Sequence, residues 1–375
     1  MANATTKTIE RADIAHMRAA LALARRGLGR VWPNPAVGCV VVAEGRVVGR
    51  GWTLPGGRPH AETEALRRAG SAARGATVYV SLEPCCHHGR TPPCSEALIS
   101  AKVARLVAPM EDPDPRVDGA GFAALRAAGI AVEIGLGAEE ARELNRGFLL
   151  RLGEGRPLVT LKTATTLDGR IATHRGESQW ITGERARARA HLLRAQHDAV
   201  MIGVGTALAD DPELTCRLPG LAAASPVRIL VDPRLRLPLT AALVTTARRI
   251  PTWVLALASA DPARREAFAG CGVEVIDVPP GENDGLDVSA MLRTLGKRGL
   301  TRVLLEGGAK LAAALLRERL VDRIVWFRAA RLIGGDGMPV AAAFGVDRLT
   351  DASAFVRRAI EPCGEDALET YARVE

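Results

Sequence analysis

Aromatic side chains are scarce: 6 Phe, 5 Trp and 2 Tyr among 375 residues. The interior therefore has to rest on Ala, Leu, Val and Ile, and a hydrophobic content of 47% supplies enough of them for packed cores. The aromatic–basic interleaving of a single-strand nucleic-acid platform is missing too. No apolar run approaches the ~20 residues of a membrane-spanning helix. Met1–Thr8 is polar, reads as a frayed tail and lacks the apolar stretch of a secretory leader. The seven cysteines (39, 85, 86, 94, 216, 271 and 363) are odd in number with one tight cluster, which argues against a secreted disulfide framework. A formal charge of +8 arises from 50 Lys+Arg against 42 Asp+Glu. The arginines are scattered without a basic run, so the charge reads as a dispersed surface property rather than a nucleic-acid or membrane footprint. These absences leave a soluble cytoplasmic protein with no nucleic-acid or membrane partner as the expectation.

The length favours two domains. The first half reads as helix (13–26), strand (40–42), hairpin partner (46–51), helix from His60 to Ala69, strand (77–82), helix (95–102), strand (104–109), helix (121–128), strand (130–134) and helix (138–150). The Gly/Pro-punctuated stretch Arg151–Pro157 marks the boundary, giving domains 1–153 and 154–375. The second half again alternates strands (158–164, 198–204, 227–232, 252–256, 273–278, 302–306, 322–328) with helices (183–196, 290–297 and one ending near Arg319). Both halves are α/β, layered sheets with helices on their faces.

One stretch carries specific chemistry. His60-Ala61-Glu62 is followed by Pro84-Cys85-Cys86-His87-His88-Gly89-Arg90-Thr91-Pro92-Pro93-Cys94. Catalytic zinc takes three N/S ligands and keeps one position for water. The deaminase signature is H-x-E followed by P-C-x-x-C, with the glutamate moving protons. His60, Cys85 and Cys94 are the expected ligands and Glu62 the expected catalytic acid–base, the ligands coming from a helix start and a strand-end loop. Cys94 lies nine residues beyond Cys85, not three, a misfit to the short form. Cys86, His87 and His88 are alternative ligands, and a closed four-ligand structural zinc is the rival site; Glu62 argues against the latter. Asn34, between two prolines, could read a pyrimidine edge or simply cap its own loop. In the second half, Gly203-Val204-Gly205-Thr206-Ala207-Leu208 fails as a dinucleotide fingerprint because its third glycine is missing. Glu306-Gly307-Gly308-Ala309-Lys310-Leu311 is a strand-to-helix turn able to receive a phosphate.

These motifs, with Pro33-Asn34-Pro35, Lys162-x-Ala164, Leu167-Asp168-Gly169-Arg170, Gly176-Glu177-Ser178-Gln179-Trp180-Ile181-Thr182, Leu193-Arg194-Ala195 and the run from Gly205 to Arg217, resemble the bifunctional deaminase–reductase family of riboflavin biosynthesis from about residue 9 onward. The long gap between Cys85 and Cys94 is that family's own form. The resemblance implies a three-layer cytidine-deaminase-like domain followed by a dihydrofolate-reductase-like α/β domain. It implies one Zn²⁺ per chain, hydrolytic deamination of 2,5-diamino-6-(5-phosphoribosylamino)pyrimidin-4-one, and NADPH-dependent reduction of the ribosyl side chain to ribityl. By position, Ser178, Arg194, Leu214, Arg217 and Glu306 would contact substrate, with Lys162 near the reacting sugar. Ala164, Trp180, Thr206, Asp210, Gly308, Ala309, Lys310 and Leu311 would contact NADPH. A phosphorylated pyrimidine is the expected small-molecule partner and a homo-oligomer the expected assembly. Cys86 and Asp114 depart from the family pattern, which commonly has serine and asparagine there. A nucleic-acid-editing zinc deaminase with an accessory domain is the alternative, and a metal-stabilised scaffold without activity is a further one.

Overall fold

The computed structural model describes residues 11–89, 91–281 and 285–374. The N-terminal tail and Arg90 of the zinc motif lie outside the described residues. The chain divides into two compact units, Met1–Gly153 and Glu154–Glu375.

The first unit runs α1 (Arg11–Ala24), β1 (Gly38–Ala43), β2 (Arg46–Trp52), α2 (Ala61–Ala69), β3 (Thr77–Val80), α3 (Cys94–Ser100), β4 (Arg105–Ala108), α4 (Ala120–Ala127), β5 (Ala131–Ile134) and α5 (Ala138–Glu154). Its sheet has the order β2-β1-β3-β4-β5, with β3, β4 and β5 parallel and the β1–β2 hairpin antiparallel. The apolar run Cys39–Val42 does not alternate with polar residues because both sheet faces are covered. Cys39 and Val41 pack with Ala61 and Ala65 of α2, Leu98 of α3 and Phe122 of α4. Val40 and Val42 pack on the other side with Met17 and Leu21 of α1 and Ala141 of α5. The result is three layers. Asp13 on α1 is tied to the sheet by Arg105, whose other carboxylate partner is Glu133.

The second unit continues with β6 (Leu158–Thr165), β7 (Arg170–Ala172), α6 (Glu184–Ala195), β8 (Ala199–Gly203), α7 (Val204–Asp210), β9 (Val227–Val231), α8 (Ala242–Thr245), β10 (Thr252–Ala256), α9 (Pro262–Gly270), β11 (Glu274–Asp277), α10 (Val288–Lys297), β12 (Arg302–Glu306), α11 (Ala309–Arg317), β13 (Arg323–Arg328), β14 (Met338–Pro339), β15 (Phe355–Cys363) and β16 (Asp366–Arg373). The large sheet has the order β11-β10-β9-β8-β12-β6-β13-β16-β15, parallel from β11 to β13 and antiparallel beyond, while β7 and β14 pair separately. The central strands β8, β9, β10 and β12 are almost continuously buried, as a parallel sheet with both faces covered requires.

Several expected boundaries move. His60 is the N-cap of α2 rather than its first helical residue. Cys94 is the first residue of α3, so the expected ligands come from two helix starts and one loop, not one helix start and a loop. Helix α5 continues through Arg151–Glu154, a stretch read as linker, because a lone Gly153 is tolerated inside a helix at a cost of about 1 kcal/mol.

Candidate active sites

In the first unit, three side chains far apart in sequence converge. His60 Nδ1 lies 3.3 Å from Cys94 Sγ and 3.6 Å from Cys85 Sγ. All three donor atoms fall within 4.8 Å of one another. Tetrahedral bonds of ~2.0–2.3 Å separate ligand atoms by roughly 3.5 Å, so the donor set and its spacing fit zinc. The Cys94 backbone N–H donates to Cys85 Sγ at 3.4 Å. Hydrogen bonds from the Cys94 thiol and His60 outweigh burial and pull the Cys85 thiol down to about 4, favouring the thiolate that a metal binds. Cys86 is not part of the cluster; its Sγ donates to the Arg116 carbonyl at 3.6 Å. His88 faces Glu96 at 3.6 Å, and His87 has a buried Nδ1 without a hydrogen-bond partner.

Glu62 lies two residues after His60, in the first turn of α2, and is 3% exposed. Burial pushes its carboxyl up to about 7 against the pull of His60. A carboxyl poised there can both take and return a proton near neutrality. Asn34 Nδ2 donates to Val31 O at 3.3 Å, so its amide nitrogen caps its own loop. Glu83, which sequence reasoning passed over as part of the motif, holds the opposite loop. Its Oε2 accepts from the Asp112 and Gly119 N–H groups and its Oε1 from Phe122 N–H, at 3.0–3.1 Å. Only its position just before Pro84-Cys85 hinted at a role.

In the second unit, Glu306 at the end of β12 stands in register with Lys162 in the middle of β6. Arg194 of α6 grips Glu306 with two bonds of 2.6 and 2.8 Å and donates a third to Thr215 O at 2.9 Å. Lys162 Nζ is 3.9 Å from Glu306. Burial alone would raise Glu306, but the Arg194 guanidinium and Lys162 hold it down to about 2. Burial pushes Lys162 down, Glu306 opposing. Leu214, beside Thr215, is buried with φ 55°, a strained value for its side chain. Arg217 stands apart, exposed and 3.5 Å from Glu213. Ser178 and Trp180 sit on a separate loop, where Arg187 lies 4.8 Å over the Trp180 ring.

The β12–α11 turn has Gly307 at φ 83° and Gly308 at φ 91°. A Cβ at either would meet Thr206 of α7 at 3.4–3.5 Å. Thr206 therefore faces the turn, and Ala309, Lys310 and Leu311 form the first turn of the nine-residue α11. Two left-handed glycines before a helix start fit a phosphate-bearing cofactor. Asp210 closes α7, and Ala164 pairs with Phe327 across β6 and β13. Sequence reasoning missed His191, whose Nδ1 is 3.1 Å from Thr215 O, and Arg228, fully buried and bonded to Glu213 O at 3.4 Å. Both brace the 213–217 loop; Arg228 is also held by the Thr246 and Thr252 hydroxyls.

Fold and sites together define a two-part enzyme: a zinc-binding deaminase unit followed by a reductase unit. Residues 10–110 match the cytidine and deoxycytidylate deaminase zinc-binding region, and residues 157–358 match the RibD C-terminal domain. The chain is 42% identical over 370 residues to the riboflavin biosynthesis protein RibD of Escherichia coli, covering 94% of this chain and 97% of that protein. It is 40% identical over 365 residues to RibD of Aquifex aeolicus, covering 97% and 99%. Acinetobacter baumannii RibD superposes with a TM-score of 0.87 at 38% identity, covering 97% of this chain and 99% of that one. The chain belongs to the RibD family of bifunctional riboflavin-biosynthesis deaminase–reductases. That membership favours the riboflavin reading over a nucleic-acid-editing deaminase. Among the described residues no helix is long and apolar enough to cross a membrane.

Proposed function

We propose that unit 1–153 deaminates 2,5-diamino-6-(5-phosphoribosylamino)pyrimidin-4-one and that unit 154–375 reduces the ribosyl group of the product to ribityl with NADPH. The observation that carries the first half is the His60–Cys85–Cys94 triad with a buried, non-ligating Glu62 beside it. A solved Thermotoga maritima protein described as a diaminohydroxyphosphoribosylaminopyrimidine deaminase/5-amino-6-(5-phosphoribosylamino)uracil reductase supports the substrate choice. It superposes with a TM-score of 0.84 at 33% identity, covering 97% of this chain and 99% of that one.

His60, Cys85 and Cys94 would hold one zinc ion, which supplies Lewis acidity and an ionisable water. Glu62 takes the proton of the attacking water and returns it to the departing amine. Ammonia leaves and a carbonyl replaces the amino group. In the second unit NADPH supplies the hydride. Thr206 and the turn from Gly308 to Leu311, with Ala164, Trp180 and Asp210, would hold NADPH. Arg194 fixes the Glu306 carboxylate, which with Lys162 orients the sugar. Ser178, Leu214 and Arg217 complete the substrate wall, and Asn34 presents its amide oxygen in the first unit. The enzyme acts in the cytoplasm as a homo-oligomer in this reading.

A coupled assay following ammonia and NADPH tests it. Glu62→Gln should retain zinc but lose deamination by roughly 10²–10⁴-fold, the range of general acid–base catalysis. Ammonia release at the parental rate would remove Glu62 from the mechanism.

A further inference from the structure

The loop from Asp112 to Gly119 carries a cation that the zinc triad does not use. Asp114 is 6% exposed, yet its carboxylate is taken up by Arg116. Arg116 donates from Nε to Oδ1 at 2.9 Å, from Nη2 to Oδ2 at 2.5 Å, and from its backbone N–H to Oδ1 at 3.0 Å. The anchor continues inward: Asp114 N–H donates to Asp112 Oδ1, and Asp112 N–H donates to Glu83 Oε2, both at 3.0 Å. The Arg116 side chain itself is 67% exposed. A guanidinium has five N–H donors, and its side chain gives Asp114 only two of them. The pair joins a buried carboxylate to an exposed guanidinium, so Asp114 holds the Arg116 head in one place at the surface.

The loop lies against the zinc loop. The Arg116 carbonyl receives the thiol of Cys86, the residue after Cys85. His87 follows, close enough to influence Asp114 electrostatically, with its buried Nδ1 unpartnered. Arg151 is within electrostatic range of both Asp114 and Arg116, has a buried Nε without a hydrogen-bond partner, and donates from Nη2 to Pro33 O beside Asn34. Two guanidiniums on segments beside the loop that follows Cys85, one of them held by a buried carboxylate, suit a multiply charged oxyanion. Because the guanidinium is already ordered, binding sacrifices little side-chain freedom.

We propose that Arg116, oriented by Asp114, is a specificity-determining residue of the deaminase site that receives the substrate's phosphate. The assignment rests on the deaminase reading given above.

The test uses the full-length, zinc-loaded chain and compares KM for ammonia release from the phosphorylated diaminopyrimidine and from its dephosphorylated riboside. Arg116→Ala should raise KM for the phosphorylated compound about tenfold, the worth of one charge-assisted contact, and leave KM for the riboside and kcat for both near parental. Arg116→Lys should recover part of the loss. If Arg116→Ala fails to fold because Asp114 is orphaned, the Asp114→Asn/Arg116→Ala double variant removes the lone charge and should show the same selective KM shift. In the double variant, Asp114→Asn should add nothing to the loss caused by Arg116→Ala. Equal KM changes for the two compounds, no change for either, or additive effects would overturn the proposal. A parent chain that releases ammonia from neither compound sinks the deaminase reading and this one together; an active parent with a KM indifferent to Arg116 sinks this one alone.

Discussion

Glu306 shows what a buried ion pair contributes at the level of one side chain. A free Glu titrates near ~4.3, whereas Glu306, gripped by Arg194 with Lys162 nearby, is held down to about 2. Its folded-state value lies below its unfolded one, so the pair's contribution is fully present above ~4.3 and is lost as pH falls toward about 2. Thermal unfolding followed from pH 5 to pH 2 should therefore show a loss of stability in this window that is reduced in Glu306→Gln; an identical pH slope in the variant would contradict the assignment. At this scale the sequence was most legible where chemistry restricts residue type. Zinc accepts few ligand kinds, so His60, Cys85 and Cys94 stood out, as did the carboxylate two residues from His60. Glu83 and His191 were illegible because their partners are backbone groups that any sequence provides, and Arg228 because the threonines it bonds, Thr246 and Thr252, lie far along the chain.

Between helices and strands, small residues set the distances. Gly51 of β2 lies under the start of α2: a Cβ there would sit 2.2 Å from Ala61 O and 2.7 Å from Ala65 N. Ala61 follows His60 directly, so Gly51 fixes the height above the sheet of the helix that starts there. Gly51→Ala should destabilise the unit by about 1–3 kcal/mol, as overpacking does, and weaken zinc retention. Calorimetry and metal analysis check both, and a parental zinc content would show that α2 does not depend on this contact. Most elements of the first unit were readable from apolar runs and turn residues. In the second, α7 was missed because it starts directly at the end of β8. Helix α9 was also passed over, although Asp261 caps it and Pro262 opens it. The hairpin β15–β16 escaped because β15 is an edge strand, largely exposed and rich in charge, so it lacks an apolar stripe.

On the scale of the whole chain, each unit owns its core and its candidate site. The first is centred on Leu82, Leu98 and Phe122, and the second on Leu230, Val254 and Phe268. Treating the full chain with a zinc chelator should therefore stop ammonia release while leaving NADPH consumption with the deaminated compound intact; parallel loss of both would argue that the two chemistries share a metal. The Glu83 clamp gives this separation a further consequence. Its carboxylate fastens the Asp112–Phe122 segment beside Cys85 using protein groups alone. Small zinc domains use the metal to drive folding; this unit has an apolar core of its own and a wall beside the triad held by hydrogen bonds between protein groups. Zinc removal from the full chain is therefore expected to stop ammonia release while leaving the helical signal near parental, which circular dichroism before and after chelation checks; loss of the helical signal with the metal would show that zinc also holds the fold.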